Sequence, residues 1–131
     1  MNQLTKTKSQ ITNNTQVPIY KSNLEERTLE FSKQVITICR KIPNNRINNN
    51  LINQLVRSST SIGANYREAN DSLGKKDFIN RLRIARKEAK ETSYWFELVK
   101  YSNPDLNIDY LIQERKELRN ILSSIISKLT N

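Results

Sequence analysis

The chain has 131 residues, enough for one domain with one hydrophobic core. Only two glycines and three prolines, beside abundant Leu, Ile, Glu, Lys and Arg, favour helix over sheet. No apolar run approaches the roughly 18 residues of a membrane span, and the N-terminus lacks the apolar segment of a secretory signal. A single cysteine, Cys39, excludes an internal disulfide framework, so we expect a cytoplasmic protein.

The formal net charge is +9, from 22 Lys and Arg against 13 Asp and Glu. Such a surplus attracts polyanions, of which nucleic acid is the usual one, or it is no more than a basic surface that keeps the protein soluble. The first 23 residues carry three lysines and no acid, residues 75–102 carry eight basic and four acidic residues, and residues 103–131 carry four of each. The excess therefore lies in the N-terminus and one central segment.

Residues 1–22 are rich in Thr, Asn, Gln and Lys and have no periodic apolar positions. This composition predicts a flexible polar arm, whose lysines either contact a partner or have no function. Residues 23–131 form the predicted domain.

Four segments of this domain have the apolar spacing of amphipathic helices, at residues 24–42, 51–69, 75–101 and 108–129. Pro43 ends the first helix, and one of the asparagines 48–50 is expected to cap the second. Short connections between long helices predict an all-α, antiparallel up-down-up-down four-helix bundle. The predicted core positions are Leu24, Thr28, Phe31, Val35, Ile38, Ile42, Ile52, Leu55, Ser59, Ile62, Tyr66, Ala69, Phe78, Leu82, Ala85, Ala89, Thr92, Phe96, Val99, Leu111, Leu118, Leu122, Ile125 and Leu129.

The sequence offers little catalytic chemistry. There is no histidine, so the commonest general base and metal ligand is absent, and Cys39 alone makes neither a Cys/His pair nor a zinc site. The stretch RSSTSIGANYREAN, residues 57–70, contains Ser and Gly but lacks the strand-turn-helix context of a nucleophile elbow. Glu114 and Glu117 have helical spacing, yet a di-metal bundle requires Glu-x-x-His pairs. We therefore predict a protein that is not an enzyme and has no cofactor and no metal.

The third helix carries a basic row on the side opposite its core positions. The row contains four cations and no acid, and tyrosines follow it. Cations in a row can neutralise backbone phosphates, and tyrosines can stack on unpaired bases; the alternative is a solvated charged face. The predicted nucleic-acid-binding residues are Lys76, Arg83, Lys87, Lys90 and Tyr94, with Tyr101 beyond them.

A second series on the same helix lies about 100° around from the core positions and includes a tryptophan. Because a surface helix needs only one apolar arc, this series predicts a widened neighbour contact or a subunit interface, where tryptophan is enriched. The alternative is that Trp95 covers the edge of the bundle. The residues of this series are Ile84, Glu88, Glu91, Trp95 and Leu98.

The second helix has an outward row of small residues between two charged ones: Arg57, Ser61, Ala64 and Glu68. This flat patch suits contact with another helix, so we predict that it belongs to the assembly surface. Antiparallel packing places residue 57 level with about residue 89, which makes Arg57 a candidate ion-pair partner of Glu88 or Glu91, within one subunit or across an interface. Ser59 and Gly63 flank the core arc, where their small side chains allow a neighbouring helix to approach closely.

Two signatures carry a resemblance to a known family: R-S-x-T-S-I-G-A-N-x-x-E-A at residues 57–69 and K-E-A-x-E-T-x-Y-W at residues 87–95. Over residues 24–128 the chain resembles the bacterial four-helix bundle proteins encoded in 23S rRNA intervening sequences. The resemblance implies a small antiparallel bundle that forms ring-like homo-oligomers, in particular pentamers. A related branch, the accessory proteins of diversity-generating retroelements, comprises basic pentamers that bind nucleic acid and a reverse transcriptase.

Residues and resemblance together predict a homo-oligomer, expected to be a pentamer, that binds RNA or DNA through the basic row. The alternative is an oligomeric adaptor whose partner is another protein, such as a nucleic-acid-processing enzyme. No membrane partner is expected.

Overall fold

The structure is a computed structural model that describes residues 19–131, with side chains from Leu24 onward. This part of the chain contains four helices and no strand, as predicted: α1 (Ile19–Cys39), α2 (Arg46–Asn70), α3 (Lys75–Ser102) and α4 (Asp109–Thr130). Helix α1 begins inside the segment predicted as a polar arm. The remainder of that arm, residues 1–18, lies outside the described residues.

The start of α2 differs from the prediction. The helix begins at Arg46 rather than near residue 51, and its cap is Asn45, whose side chain accepts a hydrogen bond from the Asn48 backbone N–H at 2.8 Å. Asn48, predicted as a possible cap, is instead buried. Its side-chain amide donates to the Pro43 carbonyl at 3.0 Å and accepts from Asn103 Nδ2 at 2.9 Å. Asn48 therefore joins the loop before α2 to the loop after α3.

The core lies between all four helices, because each helix packs on the next in sequence and α1 also packs on α4. Most predicted core positions are buried, including Phe31 and Phe96, whose rings meet edge to face at 6.4 Å. Three predicted core side chains are only half-buried, and seven other described residues are buried in addition. The half-buried ones are Ile52, Phe78 and Leu129, and the additional ones are Cys39, Asn48, Ser58, Gly63, Ile79, Ile108 and Ile126.

Small residues of α2 allow close packing on two sides. A Cβ added at Gly63 would lie 2.8 Å from Thr28 Oγ1 on α1, so the two helices approach at this point too closely for a side chain. On the other side, Thr92 Oγ1 of α3 donates a buried hydrogen bond to Ser58 Oγ at 2.9 Å. The Ser/Gly-rich stretch therefore serves packing. Among the described residues, no helix combines the length and apolarity needed to cross a bilayer.

Candidate nucleic-acid interface and assembly surface

The four cations of the predicted basic row, Lys76, Arg83, Lys87 and Lys90, are all exposed on one side of α3. The charged group of none of them forms an ion pair or hydrogen bond with another described residue. Because no acid of the described chain pairs with these side chains, the row keeps its positive charge available to a partner.

An open groove of about 380 Å³ lies where the start of α3 meets the end of α4. Two predicted residues, Lys76 and Arg83, line it, together with Lys75, Asn80 and Thr130, which were not among the predicted binding residues. Three cations on one groove make it electropositive, and the first turn of α3 adds backbone N–H groups without intrahelical partners. The groove therefore extends the basic row toward α4.

Tyr94 is 56% exposed at the other end of the row. Its ring packs edge to face against Trp95, with centroids 5.1 Å apart. Tyr101, a further two turns along, is 85% exposed. Tyr94 thus borders both predicted surfaces: the basic row on one side and the series that contains Trp95 on the other.

Arg57 joins α2 to the second series of α3. Its guanidinium donates to Glu88 Oε1 at 3.2 Å and to Glu91 Oε2, and the indole N–H of Trp95 donates to the same Glu91 oxygen at 2.8 Å. The expected pairing of Arg57 therefore exists, with both carboxylates and within one chain. Because Glu88 is only 19% exposed, this network fixes the outer contact between α2 and α3.

The remaining predicted assembly residues surround this network. Ser61 is half-buried, and its hydroxyl donates to the Arg57 carbonyl at 2.6 Å. Ala64 and Glu68 are exposed on α2. Ile84, 40% exposed, and half-buried Leu98 flank Trp95 on α3. The predicted rows of α2 and α3 thus meet in one surface, the α2–α3 face, with charged groups at its centre and apolar groups beside them.

Two carboxylates of α4, Glu114 and Glu117, are paired with α1. Arg27 on α1 donates to Glu114 at 2.7 and 2.8 Å and to Glu117 at 2.7 Å. Hydrogen bonding to Glu114 raises the pKa of Arg27. Hydrogen bonds from Gln113 and then Arg27 lower the pKa of Glu117. These carboxylates are therefore ion-paired structural groups that join α1 to α4.

Fold and surfaces together define a small, basic, all-helical protein with an unpaired cationic row. The chain belongs to the 23S rRNA-intervening sequence protein family, whose model matches residues 21–130. This confirms the family part of the resemblance, whereas the relation to retroelement accessory proteins stays a prediction.

Among solved structures, the chain is similar to a protein of unknown function from the S23 ribosomal protein family of Bacteroides thetaiotaomicron VPI-5482. The two are 34% identical, with a TM-score of 0.67, and the match covers 78% of this chain and 96% of the other. No curated protein matches this chain significantly.

Proposed function

We propose that the protein is a cytoplasmic, non-enzymatic homo-oligomer that binds RNA or DNA through the outward side of α3. The observation that carries the proposal is the row of four exposed cations without any ion pair to a described residue. From Lys76 to Lys90 the row extends for about 21 Å at 1.5 Å per residue, long enough to contact several successive phosphates. The exposed ring of Tyr94 supplies a stacking surface for an unpaired base.

We further propose that the four helices run up, down, up and down. Three contacts support this arrangement. Asn70 at the end of α2 donates to Glu25 near the start of α1 at 2.8 Å. Asn48 at the start of α2 bonds to Asn103, just beyond α3. Thr130 at the end of α4 lines the groove at the start of α3. Each contact joins the beginning of one helix to the end of its neighbour.

Assembly is proposed to use the α2–α3 face, and the family resemblance suggests a pentamer. Light scattering should then give about five times the chain mass of 15.3 kDa. Replacing Ile84, an exposed apolar residue of this face, by lysine should reduce the mass because it places a charge in an apolar contact. Leu73→Lys is the matched control, since Leu73 is fully exposed in the loop before α3. A monomer mass for the native protein would refute the assembly.

Nucleic-acid binding is tested by fluorescence anisotropy with a labelled single-stranded 20-mer RNA, its DNA equivalent and a duplex. The triple variant Arg83→Gln, Lys87→Gln and Lys90→Gln should bind more weakly. Its plot of log K against log salt concentration should be shallower by about 2, because each lost phosphate contact on a single strand removes roughly 0.7. No binding of the native protein at low salt would contradict the proposal.

The matched control removes the same number of charges from exposed positions outside α3: Lys33→Gln, Arg40→Gln and Lys41→Gln. This control should bind almost as tightly as the native protein. If the α3 variant instead lost a protein partner and kept its affinity for nucleic acid, the adaptor function would replace the proposed one.

A further inference from the structure

Arg115 on α4 is a half-buried arginine without a counter-charge. Its Nε atom is buried and has no hydrogen-bond partner, and its guanidinium forms no ion pair with any described residue. Burial lowers the pKa of Arg115, and the positive charge of Arg119, one turn further along, lowers it more. A desolvated cation without a partner weakens folding, so packing alone gives no reason for an arginine here.

The neighbouring carboxylate does not compensate Arg115. Glu114 is adjacent in sequence, but its side chain turns to α1 and receives two hydrogen bonds from Arg27. Glu117 is held by the same arginine. Both glutamates of α4 are therefore held by α1, and Arg115 and Arg119 keep their positive charge.

The side of α4 that faces α3 is identified by two contacts. Arg86 NH1 approaches Ser123 Oγ to 3.5 Å. Lys76 and Thr130 line the same groove at one end of the helix pair. Arg86 comes after Lys76 in α3, whereas its partner Ser123 comes before Thr130 in α4. Each turn forward in α3 is therefore matched by a turn backward in α4.

Continuing this match places the α4 arginines beside the basic row. One turn beyond Arg86 is Lys90, and one turn before Ser123 is Arg119, so Lys90 and Arg119 lie at the same level. A further turn brings Tyr94 level with Arg115. The unpaired cations of α4 thus flank the end of the row that carries the exposed tyrosine.

We propose that Arg115 and Arg119 form a phosphate-binding site for the nucleic-acid backbone, so that the bound strand contacts both α3 and α4. The inference rests on the proposed function and adds the surface of α4 to the proposed interface. Guanidinium groups are suited to this role, because their planar donors bind phosphate in a bidentate manner. A base next to that phosphate could stack on Tyr94.

The test uses the full chain, Arg115→Gln and Arg119→Gln singly and together, and the labelled single-stranded 20-mer RNA. Each single variant should lose about tenfold in affinity, since a charge-assisted hydrogen bond is worth about one decade or more. The double variant should reduce the salt slope by about 0.7, the value expected for the loss of one phosphate contact on a single strand. The control removes one charge from α1 and one just after it, Lys33→Gln with Arg40→Gln, and should bind like the native protein.

Thermal unfolding of the free protein separates a binding role from a structural one. Arg115→Gln should leave Tm unchanged or raise it, because the change removes an uncompensated half-buried cation. In the native protein, the Nε–Hε NMR signal of Arg115 should shift when the RNA is added. A clearly lower Tm, or an unchanged signal in the bound state, would overturn the site.

The remaining outcomes are also decisive. If the double variant binds like its control while the α3 triple variant is weakened, the α4 site is wrong and the proposed function stands. If the native protein binds neither RNA nor DNA, both are wrong. If light scattering shows that the double variant loses its assembly, the arginines bind another copy of the chain, which contradicts the phosphate site.

Discussion

Gly63→Ala is a substitution whose two effects oppose each other. In an exposed helix interior, alanine is more favourable than glycine by about 1 kcal/mol. At Gly63, however, the new Cβ would lie 2.8 Å from Thr28 Oγ1 and 3.0 Å from Thr28 Cβ. Thr28 cannot move away cheaply, because it is 1% exposed and its hydroxyl donates to the Leu24 carbonyl at 2.9 Å.

The clash should exceed the gain in helix propensity. Overpacking a core by a methyl group costs about 1–3 kcal/mol, so we expect a net loss of about 1 kcal/mol in the free energy of unfolding. For a domain of this size, that loss corresponds to a fall in Tm of about 4 °C. The direction is opposite to the one that helix propensity alone predicts.

Urea unfolding followed by circular dichroism, at a fixed chain concentration because assembly contributes to stability, measures this difference. Asn53→Ala and Asn53→Gly, at an exposed position of α2, calibrate the propensity difference in the same helix. In a Thr28→Ala background the penalty at Gly63 should shrink, because the oxygen at 2.8 Å is gone. The difference in unfolding free energy between Asn53→Ala and Asn53→Gly gives the gain expected from helix propensity alone. If Gly63→Ala stabilised the protein by that same amount, the argument from close approach would be wrong.

Further predictions concern three other residues, Asn48, Glu117 and Cys39. Asn48→Ala should lower the unfolding free energy by about 2 kcal/mol, because it leaves the Pro43 carbonyl and Asn103 without their buried partner. Urea unfolding measures this difference. An unchanged unfolding free energy would contradict the role of Asn48. The pKa of Glu117 is lowered in the folded state. Its contribution to the free energy of unfolding should therefore be present above pH 4.5 and be lost on further acidification. Glu117→Gln should make the free energy of unfolding less dependent on pH below 4.5. Burial raises the pKa of Cys39 from 9.0 to about 11, so stability should fall as the pH rises from 9 toward 11, and Cys39→Ala should remove that fall. Alkylation of Cys39 at pH 8 should be slow in the native protein and fast in urea; equal rates would contradict its burial.

Helix number and most of the core could be predicted because each helix repeats its apolar positions every three or four residues. The partnership of Arg57 with Glu88 and Glu91 could be predicted as well, because the short loop between α2 and α3 fixes which residues are level. The residue that caps α2 could not be predicted from the sequence. The stretch NNRINNN offers several asparagines with the same capping ability, and only tertiary contacts show that Asn48 is buried between two loops.

The positive side of α4 could not be predicted from its charges, because residues 103–131 carry as many acids as bases. The positive side becomes visible only when the neighbours of the helix are known: Arg27 of α1 binds Glu114 and Glu117, and Arg115 is left without a counter-charge. A helical wheel of α4 would have separated the two groups on its surface. It would not have identified which group lies beside the basic row of α3.

The separation of charge on α4 also bears on how the molecule meets a partner in solution. Glu114 and Glu117 are paired with Arg27 on the α1 side, whereas the cations of the basic row and Arg115 have no ion pair with a described residue, so charge is distributed unevenly over the bundle. An uneven charge distribution orients a polyanion before contact, so productive orientations become more frequent than random collision allows. The rate of encounter, and not only the lifetime of the complex, should therefore depend on where these charges lie and fall as salt screens them.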